Sequence, residues 1–242
     1  MAAALLLGKL KLLIPVLKFA KFGSLVTILV TVWVYAQIWG FAFALGFVLL
    51  IFVHEMGHAV AMRQQGIRAG APVFIPFVGA VIAMKEIPRN AYVEAYIALG
   101  GPALGTAGAI VCLAVGAVTG SLFWYALAST GFLINLFNMI PISPLDGGRV
   151  VGVLSRWIWV VGYVVGIAVF LATQSPILFL ILLLGLFTLG RTVRGPRPGY
   201  FEVPDGARRF IGLAYFGLLG IMALGMWTAD QPLAGIGALG SR

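Results

Sequence analysis

Two histidines and a glutamate stand together in the stretch HEMGH, residues 54–58, inside an otherwise apolar run. Residues four apart lie on one face of a helix, so His54 and His58 can both turn toward one metal ion. Zinc prefers imidazole nitrogen and carboxylate oxygen, and a catalytic zinc has three protein ligands and a water. Glu55, beside the first histidine, can act as general base on that water. The spacing therefore predicts a catalytic zinc site with one Zn²⁺ per chain.

A packed, hydrogen-bonded side chain is the alternative explanation for a histidine in an apolar helix. Here the whole chain has only two histidines, His54 and His58, and both lie in this motif. Ionisable groups within a membrane span are costly and are functional by default. Metal binding is therefore the interpretation that we prefer.

The third ligand must come from elsewhere in a chain that has only seven acidic residues. Five of them lie in loops or at membrane edges, where solvation explains them: Glu86, Glu94, Glu202, Asp205 and Asp230. Asp146 remains, in the segment NMIPISPLDGGR (138–149), whose prolines and glycines break an apolar run. Broken backbone at membrane depth indicates a site. Asp146 could instead be the N-cap of a helix starting near Gly148, and the two roles are compatible.

The elements that must position these residues are membrane helices. Of 242 residues, 62% are hydrophobic and 10% charged, against roughly 45–50% apolar and about 25% charged in soluble domains. A spanning helix needs about 20 mostly apolar residues. Seven stretches qualify, although the sixth is short: 22–40, 41–63, 95–119, 121–140, 148–172, 176–190 and 209–228. The sequence predicts an all-α polytopic membrane protein with six to seven transmembrane helices.

The net charge of +9 is carried by short loops between the apolar stretches. If the N-terminal lysines are cytosolic, every Lys and Arg except Arg242 falls on the same side, as the positive-inside rule requires. This distribution argues against a nucleic-acid partner and for the lipid bilayer, with the cell membrane as the expected location. At 1.5 Å per residue, His58 lies roughly 8 Å and His54 roughly 13 Å from Arg63. We therefore expect the site to face the cytosolic side.

Residues 70–90 interrupt the helical pattern. Prolines and a glycine separate β-branched and aromatic runs there, which favours a hairpin. The segment is too apolar for a free loop, and irregular backbone at membrane depth must be buried in protein or line a water-filled cavity. We predict a membrane-associated β-hairpin, from which an exposed strand could capture a substrate by strand addition.

The positions of glycines and lysines lead to further predictions about helix packing and about the N-terminal segment. Gly57 would allow another backbone to come close, and the glycine spacings predict close helix packing. Lysines scattered through apolar residues 1–21 are typical of a basic amphipathic interfacial segment. We divide the rest into an intramembrane core, 22–194, a cytosolic loop, 195–208, and an additional C-terminal transmembrane helix and tail, 209–242.

HEMGH on a membrane helix, followed by NMIPISPLDGG, resembles the site-2 protease family of intramembrane zinc metalloproteases. The N-x-x-P-x-x-x-L-D-G pattern of that family is matched position by position by Asn138, Pro141, Leu145, Asp146 and Gly147. The resemblance covers about residues 20–190 and is to a compact member without a PDZ or CBS domain.

The resemblance implies a zinc ion held by His54, His58 and Asp146. It implies that Glu55 is the base and that the activity is regulated intramembrane proteolysis of single-span transmembrane substrates. It also suggests that Asn138 contacts the substrate or the developing oxyanion, although a helix-end hydrogen bond would explain that amide almost as well.

Two other classes of protein could use ligands of this kind. A membrane zinc transporter shares histidine and aspartate within spans, but it gains nothing from the glutamate base. A non-catalytic membrane scaffold does not need the complete set of base and ligands. Glu55→Gln discriminates between them, since only the protease depends on that carboxylate.

Overall fold

The computed structural model describes residues 23–194 and 198–239. These residues form eight α-helices and one two-stranded antiparallel sheet. In chain order the elements are α1 Ser24–Trp39, α2 Phe41–Gln64, β1 Val73–Ile75, β2 Gly79–Val81, α3 Ala91–Thr119, α4 Leu122–Asn138, α5 Asp146–Leu154, α6 Arg156–Thr173, α7 Pro176–Arg194 and α8 Asp205–Leu239. The predicted amphipathic segment 1–21 lies outside the described residues.

The mainly helical architecture of an integral membrane protein agrees with the prediction. By length and composition, three of the described helices can cross a membrane: α2, α3 and residues Asp205–Ala234 of α8. The other apolar helical stretches are shorter: Ser24–Trp39, Leu122–Asn138, Trp157–Thr173 and Leu178–Phe187. The described residues therefore do not confirm the predicted count of six to seven transmembrane helices.

The predicted span 148–172 is wrong as a single helix. It is divided at Ser155, whose extended backbone ends α5 and precedes α6. The Ser155 hydroxyl accepts a 3.3 Å hydrogen bond from the backbone N–H of Trp157, which is the bond that a helix N-cap makes. The apolar runs on both sides of Ser155 and Arg156 concealed this break.

The helices α2 and α3 meet at glycines. A Cβ atom placed on Gly57 would lie 2.0 Å from the carbonyl oxygen of Gly100. Only a residue without a side chain allows two helix backbones to approach so closely. The structure agrees with the expectation that Gly57 admits a neighbouring backbone.

The C-terminal helix α8 packs along α4. The ring of Phe132 lies so close to Gly225 that a Cβ on that glycine would be 2.4 Å from its Cζ atom. Met222 and Ala229 of α8 are fully buried in the same apolar cluster as Phe132. This core lies beside the segment that joins α4 to α5.

The predicted hairpin is confirmed as β1 and β2, which pair with Phe74 opposite Ala80. Its backbone is fastened to α1 by two hydroxyl groups. The N–H of Phe74 donates to Oγ1 of Thr27 at 3.2 Å, and the N–H of Phe77 donates to the hydroxyl of Tyr35 at 2.8 Å. These hydroxyls satisfy backbone donors that would be costly to leave unpaired in an apolar environment.

Candidate active site

The side chains of His54, His58 and Asp146 converge on one point, and all three are buried. Nε2 of each histidine lies 3.2 Å from Oδ2 of Asp146, and the two Nε2 atoms lie 3.2 Å apart. Three atoms bonded at about 2.0–2.1 Å to one tetrahedral centre lie about 3.3–3.4 Å from each other. This triangle of two imidazole nitrogens and a carboxylate oxygen therefore fits a zinc ion in both size and donor type.

The proton on His58 is fixed by the neighbouring helix. Its Nδ1 lies 2.8 Å from the backbone carbonyl oxygen of Ile97, in α3. A carbonyl oxygen can only accept, so Nδ1 carries the proton. Nε2 is then left with a lone pair that faces Asp146, which is the arrangement that metal-binding histidines adopt.

His54 is oriented in the same way by Asn135, a residue that the sequence analysis did not single out. Nδ1 of His54 lies 2.8 Å from Oδ1 of Asn135, and Nδ2 of Asn135 donates at 2.7 Å to the carbonyl oxygen of Gly131. The second bond sets the direction of the amide, because only its nitrogen can donate. A buried asparagine in the apolar helix α4 was the available signal.

A glycine of α3 makes room for both imidazole rings. A Cβ on Gly101 would lie 2.3 Å from Nε2 of His58 and 2.8 Å from Nε2 of His54. A Cβ on Gly105 would likewise lie 2.3 Å from Oδ1 of Asn135. Gly101 therefore lies against both predicted histidine ligands, and Gly105 lies against Asn135.

Asp146 stands at the first position of α5, after a broken stretch of backbone. The helix N-cap is Leu145, and it makes no side-chain cap hydrogen bond. The alternative that Asp146 is itself the N-cap is therefore not what the structure shows. Residues 139–148, from the end of α4 to the first turn of α5, are called the Asp146 segment below.

Glu55 is buried beside the ligands, with 6% of its surface exposed. Its carboxylate interacts electrostatically with both histidines, with Asp146 and with the backbone N–H of Ile82. Ile82 follows β2 directly, so the hairpin contacts the predicted base. The predicted base therefore lies in the same buried cluster as the three predicted ligands.

Asn138 lies one helical turn beyond Asn135. Its side-chain nitrogen donates a 3.1 Å hydrogen bond to the carbonyl oxygen of Ile134 in its own helix. The half-buried amide is therefore engaged in the helix-end bond that was the alternative explanation. A contact with substrate or oxyanion stays a prediction for Asn138.

Known proteins share the part of the chain that carries the histidines. Residues 42–122 match the family model described as Peptidase family M50. A zinc metalloprotease of Methanocaldococcus jannaschii is 31% identical over 124 residues, which are 49% of this chain and 35% of that protein. Rip3 of Mycobacterium tuberculosis, described as a candidate zinc metalloprotease, is 34% identical over 110 residues, 42% of this chain and 28% of Rip3. The chain thus spans about a third of the length of the curated relatives it matches.

Proposed function

We infer that this chain is an intramembrane zinc metalloprotease, from its motifs, which resemble those of the site-2 protease family, and from the match of residues 42–122 to peptidase family M50. We propose that it hydrolyses peptide bonds within or near the transmembrane segments of single-span substrates, in regulated intramembrane proteolysis. The observation that carries the proposal is the buried triangle of His54, His58 and Asp146 with the Glu55 carboxylate beside it.

A zinc ion held by the three ligands would act as a Lewis acid that polarises the scissile carbonyl and lowers the pKa of water. The protein's own residues do the rest. Asn135 and Ile97 keep the two imidazole rings in one orientation and one tautomer. Glu55 takes a proton from the attacking water and gives it to the leaving amine, as a general base and then a general acid.

A cleavage assay in detergent against a panel of single-span substrates tests the proposal. Glu55→Gln cannot accept a proton, so we expect cleavage to fall by about 10²–10⁴-fold, while bound zinc stays at the wild-type amount. Chelation of the metal should abolish cleavage in the wild-type protein. Glu86→Gln makes the same change at an exposed position and is the matched control.

Cleavage that survives in Glu55→Gln would refute the mechanism. A zinc transporter or a scaffold would keep its function in the same variant, so this substitution also separates the three classes. Measuring zinc content beside cleavage distinguishes loss of the base from loss of the metal.

The outer edge of β2 lies at the predicted base. The N–H of Phe74 points away from β2, toward Thr27. Two opposite residues of an antiparallel pair either both point their backbone N–H and C=O groups toward the partner strand or both point them away from it. Because Ala80 lies opposite Phe74, the backbone groups of Ala80 point away from β1. Ile82, two residues further on, shares that direction, and its N–H interacts electrostatically with Glu55. The outer edge of β2 therefore leads to Glu55.

We propose that an unwound substrate segment adds to this edge as a third strand. A substrate helix has its backbone groups paired internally, so it must unwind before its carbonyl can be attacked. Pairing with β2 would satisfy some of the freed groups and bring the peptide beside Glu55. On the other side of the hairpin, Thr27 and Tyr35 already occupy backbone donors.

Proline substitutions test strand addition. Along Val73–Ile75 they should slow cleavage of helical substrates while zinc content stays intact. Ala80→Pro is a sharper test, because it removes one outward N–H and leaves the inner hairpin bonds in place. Ala80→Val keeps the N–H and should cleave at nearly the wild-type rate. Equal loss of cleavage and zinc in Ala80→Pro, or loss of neither, would contradict the model of substrate capture.

We also propose that the protein lies in the cell membrane with its site toward the cytosol. The support is the placement of Lys and Arg in loops on one side of the predicted spans. Labelling of an Arg68→Cys variant in sealed right-side-out vesicles should fail until the vesicles are opened. Labelling of the intact vesicles would show that the protein has the opposite orientation.

A further inference from the structure

Two side chains from the C-terminal part of the chain hold the Asp146 segment by its backbone. The hydroxyl of Tyr215, in α8, donates a 2.6 Å hydrogen bond to the carbonyl oxygen of Met139. The indole N–H of Trp159, in α6, donates a 2.6 Å hydrogen bond to the carbonyl oxygen of Gly148. One of these bonds lies before Asp146 in the chain and the other after it.

Both donors are withdrawn from solvent, since Tyr215 and Trp159 are each 3% exposed. A buried tyrosine hydroxyl or indole N–H needs a partner, and a donor left unpaired in such a place is costly. Neither donor bonds to a carbonyl group of its own helix, α6 or α8. The acceptors are carbonyl groups of the segment that carries the third predicted metal ligand.

The bond from Tyr215 reaches Asp146 through one intervening residue. A Cβ placed on Gly147 would lie 2.1 Å from the carbonyl oxygen of Met139, so this oxygen packs against the Gly147 backbone. Tyr215 therefore fixes the Met139 carbonyl oxygen, against which the Gly147 backbone packs. Gly147 follows Asp146 directly in the chain. A turn of the Met139 peptide would displace the aspartate.

The bond from Trp159 acts on the first turn of α5. Its ring also lies against Gly152, where a Cβ would be 2.9 Å from Cζ2 of the indole. The indole thus contacts α5 at two places one turn apart. Because Asp146 is the first residue of that helix, fixing the helix fixes the direction in which the carboxylate leaves the backbone.

We propose that Tyr215 and Trp159 are positioning residues that hold the Asp146 carboxylate at the distance from His54 and His58 that one metal ion requires. They act through the backbone of the Asp146 segment. Both lie outside residues 42–122, the part matched by the family model. The inference rests on the proposed function in one respect only, namely that the triangle of ligands binds zinc.

The test is the affinity of the full chain for Zn²⁺, measured in detergent by competition with a chromophoric chelator. Tyr215→Phe and Trp159→Phe each remove one donor and keep an aromatic ring. We expect each to weaken zinc binding by about tenfold, the lower end of the 10–100-fold effect of outer-shell partners. Thermal unfolding of the metal-free variants reports stability separately.

Tyr200→Phe is the matched control. Tyr200 is also 3% exposed, and its hydroxyl donates at 2.7 Å to Oε2 of Glu94, near the start of α3. The same atom is removed, but from a bond to another part of the molecule. Its zinc affinity should equal that of the wild type even if its thermal stability falls.

Cobalt supplies a second readout that a purely structural role would not move. Co²⁺ accepts the same nitrogen and oxygen ligands, and its visible absorption bands report the geometry of those ligands. The bands should shift in Tyr215→Phe and Trp159→Phe and stay unchanged in Tyr200→Phe.

Unchanged zinc affinity and cobalt spectra in Tyr215→Phe and Trp159→Phe would overturn this inference alone. An equal loss of affinity in Tyr200→Phe would also overturn it, because the effect would then be general. Failure of the wild-type protein to bind zinc would overturn the proposed function, and the inference with it.

Discussion

His54 and His58 stand on a long helix that is pressed against α3, whereas Asp146 begins a helix of nine residues after a break in the chain. The helix that carries the histidines is fixed by close contact: Gly57 meets Gly100, and Gly101 leaves space for the two rings. Asp146 is fixed at a distance, because side chains of α6 and α8 bind the carbonyl groups on either side of it.

The histidine half and the aspartate half of the site are therefore positioned by different kinds of interaction. Packing of glycines places the helix that carries the histidines through excluded volume, so the α2–α3 contact at Gly57 tolerates almost no added atoms. Directed hydrogen bonds place the aspartate, so the Asp146 segment depends on single donors that can be removed without changing volume. Substitutions should therefore have different signatures in the two halves.

Gly57→Ala should have the largest effect on the fold. Its Cβ would collide with the backbone oxygen of Gly100, and backbone cannot rotate away, so we expect a destabilisation of about 3 kcal/mol or more and loss of zinc. Gly220→Ala is the control: Gly220 is a helical glycine with no atom near its Cβ position, and the change should stabilise by roughly 0.5–1 kcal/mol. Thermal unfolding in detergent measures both, and a Gly57→Ala protein as stable as wild type would contradict the packing argument.

Asn135→Ala should have a smaller effect, directed at the metal. It leaves Nδ1–H of His54 without its acceptor, and we expect zinc affinity to fall by about 10–100-fold with most of the fold intact. Asn138→Ala is the contrast, since the described bond of Asn138 runs to its own helix, and zinc affinity should not change. Chelator competition on both variants gives the result, and a reversed order would refute the role of Asn135.

If Asn138 contacts the substrate, Asn138→Ala will slow cleavage while it leaves zinc bound. The same variant therefore tests the role that the family resemblance suggests. Unchanged cleavage would leave the helix-end bond as the function of that amide.

The smallest effect is expected in the loop that follows the hairpin, at Glu86. Glu86 accepts hydrogen bonds from the side chain and the backbone N–H of Arg68, and the side-chain bond holds the pKa of Glu86 below its ordinary value. A lowered folded pKa gives stability that is complete above the unfolded value of about 4.3 and lost as pH falls through the lower folded value. A slight fall in unfolding temperature below about pH 4 should disappear in Glu86→Gln. If the variant keeps the acid step, another carboxylate causes it.

The two halves also differ in how far the sequence could predict them. The spacing of His54 and His58, and Gly57 between them, correctly indicated a shared helix face and a close neighbouring backbone, because both follow from helical periodicity. The sequence also pointed to Asp146, by elimination among few acidic residues. It could not indicate Tyr215 or Trp159, because their acceptors are backbone carbonyl groups with no side-chain signature.

Asn135 and Ser155 were missed for different reasons. Asn138, one turn from Asn135 in the same apolar helix, belongs to the N-x-x-P-x-x-x-L-D-G pattern, whereas Asn135 lies outside that pattern. Ser155 ends a helix within a stretch whose apolar residues continue on both sides, so composition alone joined α5 to α6. In each case the deciding information was a hydrogen bond of one polar side chain, which periodicity does not encode.

The position of Tyr215 after all three predicted ligands in the chain has a consequence for synthesis. A ribosome makes the chain from its N-terminus, so all three ligands and Glu55 enter the membrane before α8 does. The donor that completes the support of the Asp146 segment is thus added last. Assembly of the predicted metal centre would wait for α8, and a nascent chain would carry the predicted ligands for some time before it could hold them in order.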